Sequence, residues 1–215
     1  MRTGIVILTS ALLAVPGLAA TITTEHFGSM ADVEALVTDG FEFHARGDTQ
    51  KLQLTRTDPL AQAEQPFGLW NNGVPHAFKV VFSPAGIAGI SIDNVYTVET
   101  PVSINPATNG ILVTAWTPAA GRAVAVEDLM ITTSDLMMYP VPGLAAAPVP
   151  DYLLVNTDLN LAGGFILSGT VRFDWTGNLP PPDEQWFDVT TVVTPEPAGL
   201  GLALLGALVG LQRRR

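Results

Sequence analysis

Hydrophobic and polar positions alternate with a period of two along much of this chain. Phe41, Phe43 and Ala45 are separated by Glu42, His44 and Arg46, and Leu52 and Leu54 are separated by Gln53 and Thr55. Residues two apart on an extended strand share a face, so each run predicts a half-buried strand. A Gly47-Asp48 turn between the two runs predicts a hairpin. The clearest strand is Phe165 to Trp175, with Phe165, Leu167, Gly169, Val171, Phe173 and Trp175 on one face. Ser168, Thr170, Arg172 and Asp174 lie on the other, and the alternation places Trp175 in the core.

Less regular runs predict further strands at Thr21 to Gly28, Ala77 to Phe82, Gly89 to Glu99 and Ile111 to Trp116. Others follow at Ala123 to Thr133 (Val124, Val126 and Leu129 inward), Tyr152 to Leu161 and Trp186 to Val193. One stretch leaves the period of two. Ser29 reads as an N-cap for a short helix over Met30 to Val37, with Val33, Leu36 and Val37 on one face and Gly40 as its stop. Asp58 to Pro75 and Pro140 to Pro150 read as loops, and Pro180-Pro181-Pro182 as a stiff one. The second of these loops stays inside one domain, because charge and composition do not change across it. Nine or ten short strands separated by turn signals predict an all-β fold, a single antiparallel β-sandwich or jelly-roll-like domain.

Both ends depart from this pattern. Met1-Arg2 is a minimal positive start, Ile5 to Val15 is apolar, and Pro16 breaks the run before Gly17-Leu18-Ala19. This reads as a signal peptide over residues 1–19, cleaved between Ala19 and Ala20, with an uncleaved membrane anchor as the alternative. At the other end Pro195, Glu196 and Pro197 precede fourteen uncharged residues, Ala198 to Leu211, and the chain closes on Arg213, Arg214 and Arg215. As an apolar helix that run spans about 21 Å, short of the ~30 Å core of a bilayer. The arginines hold its end on the cytoplasmic side.

The order triplet, apolar run and basic cluster resembles the PEP-CTERM sorting signal of Gram-negative bacteria. The resemblance covers residues 194–215 and leaves the body, residues 20–193, unassigned. It implies an exosortase, a membrane-embedded cysteine transpeptidase, that recognises Pro195, Glu196 and Pro197 and cuts near them. Arg213, Arg214 and Arg215 would then be the stop signal, and the inner membrane a transient station on the way to the cell surface or beyond. Signal peptidase and exosortase are the processing partners so implied. An ordinary tail anchor, or a core helix with a basic end, is the other reading of the same residues.

Charge sharpens this picture. Setting aside Arg2, Glu196 and the three terminal arginines leaves a body with 19 acidic and 6 basic residues. Nucleic acid and anionic lipid would both be repelled by such a body, which suits an extracellular protein. The chain has no cysteine, so neither disulfides nor Cys-based metal sites contribute, and the core alone must hold the fold.

Candidate chemistry is sparse. His26, His44 and His76 have no spacing that places two on one helix face, and each reads as a surface or loop residue rather than a ligand. There is no Gly-x-Ser-x-Gly elbow. Arg46-Gly47-Asp48 spells an adhesion tripeptide where a turn is needed in any case. Gly199-Leu200-Gly201 lies within the apolar run and not after a strand, so it is no dinucleotide loop. Glu127-Asp128 and Asp183-Glu184 are adjacent, which on a strand points each pair to opposite faces. Catalytic residues, metal ligands and cofactors are therefore expected to be none.

Ser91 to Val98 contains Ile92-Asp93-Asn94-Val95, which resembles a strand motif of carbohydrate-binding-like jelly rolls. Trp70, Trp116, Trp175 and Trp186 are candidates for a sugar-stacking platform. The function expected is that of an exported, non-catalytic surface or extracellular-matrix protein associated with exopolysaccharide or biofilm. The alternative is a secreted polysaccharide hydrolase with a carboxylate-based site. A concave pocket holding two carboxylates and an aromatic would speak for the hydrolase, and a flat, loop-capped sandwich against it.

Overall fold

A computed structural model describes residues 21–33, 36–46, 51–56, 62–66, 70–158, 160–178 and 185–194. The segments expected from sequence to be a signal peptide, a Gly47-Asp48 turn and a triple-proline loop, together with Asp183-Glu184 and Pro195 to Arg215, lie outside these residues.

The strands in chain order are β1 (Ile22–Phe27), β2 (Val37–Arg46), β3 (Lys51–Arg56), β4 (Gln62–Pro66), β5 (His76–Ser83), β6 (Ile87–Ile92) and β7 (Tyr96–Pro101). They continue as β8 (Gly110–Trp116), β9 (Arg122–Thr133), β10 (Met138–Pro140), β11 (Leu144–Ala146), β12 (Asp151–Thr157), β13 (Phe165–Trp175) and β14 (Trp186–Val193). A four-residue helix α1 (Met30–Val33) follows β1, and a single 3-10 turn (Leu161–Gly163) precedes β13. Among the described residues no helix is long and apolar enough to cross a membrane.

Two seven-stranded antiparallel sheets pack face to face, as the alternating pattern requires. The first runs β1-β12-β8-β14-β2-β3-β4 and the second β10-β9-β13-β5-β6-β7, with β11 paired to β9. A row of phenylalanines crosses the space between them. Phe187 of β14 sits 4.8 Å from Phe78 of β5 and 5.7 Å from Phe43 of β2, centroid to centroid. Phe41 of β2 lies 6.3 Å from Phe82 and 6.2 Å from Phe165, both in the second sheet. These side chains come from the inward positions of their strands, and all are buried.

Several expectations change at this level. The helix ends at Val33, and Val37 already pairs with Val193 in the sheet. Gly40 does not stop a helix; it lies within β2 at a bulge, with φ +85°. Between Thr190 and Val192 of β14, the partner strand advances from Glu42 to Thr38, so extra residues bulge out of β2. Thr191 fills the gap, its hydroxyl accepting from the Phe41 N–H and donating to the Phe41 carbonyl, both at 3.2 Å.

Gly89 to Glu99 is a hairpin rather than one strand. Asp93 and Asn94 have φ +51° and +57°, the left-handed pair of a two-residue turn, and the Val95 N–H donates to the Ile92 carbonyl at 3.0 Å. The two predicted loops also hold strands. β4 pairs with β3 inside the first. In the second, Leu144 and Ala146 of β11 are buried against β9, an alternation too short to stand out in sequence.

Glu127 and Asp128 do not split across the sheet. Asp128 has φ +54° at a bulge opposite Gly169, and both acids are exposed. Trp175 packs at the margin of the core and is only partly buried.

Candidate functional site

The outward face of the first sheet is not uniformly polar. Leu112 of β8, Tyr152 and Leu154 of β12 and Val192 of β14 point away from the sandwich core, yet they are buried. Val33 of α1 and Leu36 cover them, joined by Phe27. The β1–α1–β2 connection thus roofs one end of the sheet. A cavity of about 460 Å³ lies beside this small apolar cluster, lined by Met30, Glu42, Trp116, Tyr152, Trp186 and Asp188 among others.

Strand register explains which side chains meet there. His44 of β2 pairs with Asp188 of β14, which pairs with Thr114 of β8, which pairs with Tyr152 of β12. One row across four strands therefore carries an imidazole, a carboxylate, a hydroxyl and a phenol. In a neighbouring row Trp186 pairs with Trp116, and their rings stack at 4.7 Å with planes 13° apart. Glu42 completes the group from the same face of β2, opposite Thr190.

The polar groups are closely coupled. The His44 Nδ1 and Asp188 Oδ1 are hydrogen-bonded. One ligating atom each from Glu42, His44 and Asp188 lie within 4.8 Å of one another. Burial, aided by the Asp188 charge and opposed by His44, pushes the Glu42 carboxyl above its usual range. Burial and the same Asp188 charge raise the Tyr152 phenol. Both shifts share the same causes, burial first and the Asp188 charge second. Tyr152 is only 2 % exposed, and its hydroxyl has no hydrogen-bond partner among the described residues.

The other two histidines also face aspartates; His26 is the surface residue expected, whereas His76 is buried. His76, buried at the start of β5, is 2.7 Å from Asp93, whose other oxygen accepts from the Ala77 N–H. Asp93 thus fastens the β6–β7 turn to β5, which is an architectural task. His26 of β1 is exposed and sits 3.2 Å from Asp151. The four tryptophans are divided. Trp70 is buried against Phe173 at 4.7 Å, and Trp175 borders a separate depression of about 430 Å³ with Asn72, Arg122 and Asp174. Trp116 and Trp186 alone come together at the candidate site.

Glu42 and His44 were legible in sequence as outward residues of one strand. Asp188 was not, since 144 residues separate it from His44 and β14 is buried on both faces from Phe187 to Val192. The triplet Pro195, Glu196 and Pro197, the cluster Arg213 to Arg215 and the Ala19-Ala20 junction lie outside the described residues. Against models of known families and against curated proteins, the chain finds no match.

Proposed function

We propose that this is an exported, non-catalytic protein of the cell surface or extracellular matrix, and that its body holds polysaccharide in the cavity on the first sheet. The export half rests on the sequence: a removable apolar start, a tail resembling the PEP-CTERM signal, and an acidic body without cysteine. The binding half rests on one observation, the stacked Trp116–Trp186 pair beside Glu42, Asp188 and the Tyr152 hydroxyl. Sugars present apolar C–H faces edged by hydroxyls, and a site with aromatic walls and a few fixed polar groups matches that chemistry. The negative field and the acidic body favour an uncharged glycan over an anionic one.

A hydrolase remains the second reading, because the cavity does gather two carboxylates with aromatics, and Glu42 is pushed toward its neutral form beside Asp188. That is the environment of a general acid. Binding is preferred on geometry. Glu42 and Asp188 stand on neighbouring strands of one sheet face and approach a ligand from the same side. Glycoside cleavage places its two carboxyl groups on either side of the scissile bond.

The test is affinity electrophoresis of the full-length chain in gels cast with neutral and acidic polysaccharides. Retardation on a neutral glycan is expected. Trp186→Ala should weaken it about tenfold or more, as truncation of a central aromatic anchor does. No retardation on any polysaccharide would overturn the binding reading. Release of reducing ends that disappears in Glu42→Gln would establish the hydrolase instead.

For sorting, mass spectrometry of material released by a host with an active exosortase should show a C-terminus near Pro195. An intact Arg215 on that material would contradict processing, and a Pro195→Ala, Pro197→Ala double variant should stay in the inner membrane.

A further inference from the structure

The polar end of the cavity has a composition that sugar binding does not require. We propose that Glu42, His44 and Asp188 hold a divalent transition-metal ion, best matched by Zn²⁺, beside the Trp116–Trp186 wall. Two features carry this.

The donor set is one imidazole and two carboxylates from two adjacent strands, with one atom of each inside 4.8 Å of the others. Three mixed nitrogen and oxygen ligands are the number an open zinc site uses, the remaining position being left to water or ligand. Calcium takes six to eight oxygens, and an imidazole is a poor match for it.

The second feature is independent of the cluster itself. The Tyr152 hydroxyl, on a side chain 98 % buried (2 % exposed), lacks a hydrogen-bond partner among the described residues while lining the same cavity as Asp188. Leaving such a group buried and unpaired is unfavourable. A metal-bound water or a ligating carboxylate oxygen supplies the missing acceptor. Tyr152 then acts as a positioning residue that supports the ligands from outside the coordination sphere.

This inference does not depend on sugar binding, and its test contains no sugar. The full-length chain, without a polyhistidine tag and stripped with EDTA, is titrated calorimetrically with Zn²⁺ and separately with Ca²⁺. One Zn²⁺ per chain is expected, with Ca²⁺ at least tenfold weaker. His44→Ala and Glu42→Gln should each weaken Zn²⁺ at least tenfold. Tyr152→Phe should weaken it less, while leaving one ion per chain.

Co²⁺ provides a readout that does not rely on variants. It should give a visible absorption band with the unaltered chain and quench tryptophan emission, since the Trp186 ring centroid is 6.2 Å from that of His44. Absence of Zn²⁺ uptake, or absence of the Co²⁺ band, overturns the proposal. So does Zn²⁺ uptake unchanged in a His44→Ala chain that keeps its thermal transition. If His44→Ala does not fold, the near-isosteric Glu42→Gln and the Co²⁺ spectrum carry the decision.

Discussion

Phe187→Ala should lower the unfolding free energy by about 3–5 kcal/mol, the usual cost of emptying a buried aromatic position. For a body of this size that corresponds to a fall in Tm of roughly 10 °C, measurable by differential scanning calorimetry. The reason lies in where Phe187 stands. It is fully buried on β14 and touches Phe43 within its own sheet and Phe78 across the interface. Losing the ring removes contacts that hold the two sheets in register, and a cage formed by strands cannot collapse to fill the space. With no disulfide to limit the damage, the deficit should appear in full. A loss below about 1 kcal/mol would mean that the sheets re-pack around the gap, and the row of phenylalanines would not be the main inter-sheet contact.

Gly40→Ala should be the second most damaging change, costing about 2 kcal/mol or more from two additive sources. The φ of +85° is one that a side chain resists. The new Cβ would also stand 2.7 Å from Ile104 Cγ1 and 2.9 Å from the Thr191 hydroxyl oxygen. The second contact matters more than its distance suggests. Thr191 serves both backbone groups of Phe41 where the ladder is broken, so displacing it leaves buried polar groups without partners. Gly28→Ala is the control, since nothing lies within 4 Å of its Cβ position; chemical denaturation should find it near neutral.

The sheet-forming segments were readable where alternation ran long enough. Phe165–Trp175 and Trp186–Val193 match the structure at both ends. Short strands failed for a physical reason. Three residues such as Leu144–Ala146 contain barely one period, and their extension is imposed by the neighbouring β9 rather than by their own composition. Gly40 misled because a glycine after a helical pattern and a glycine at a bulge satisfy the same need for positive φ.

The candidate site was half legible. Glu42 and His44 show themselves as outward residues, but their partner Asp188 is fixed by strand order, and strand order follows from long-range packing. The aromatic pair was hidden for the same reason. Nothing local distinguishes Trp116 and Trp186, which stack, from Trp70, which is sealed in the core.

The position of β14 has a consequence for the order of events in the cell. The segment nearest the tail is not an edge strand; it is wedged between β8 and β2 in the middle of the first sheet. Until Trp186–Val193 arrives, β8 and β2 present facing rows of unpaired backbone groups, and Phe187 is missing from the interface. Synthesis from the N-terminus therefore delivers the other described strands before the keystone, and the sandwich closes only after nearly the whole body has been made. Such late closure makes folding a step that follows synthesis of nearly the whole body rather than one that accompanies it, and its long-range pairing makes that step slow.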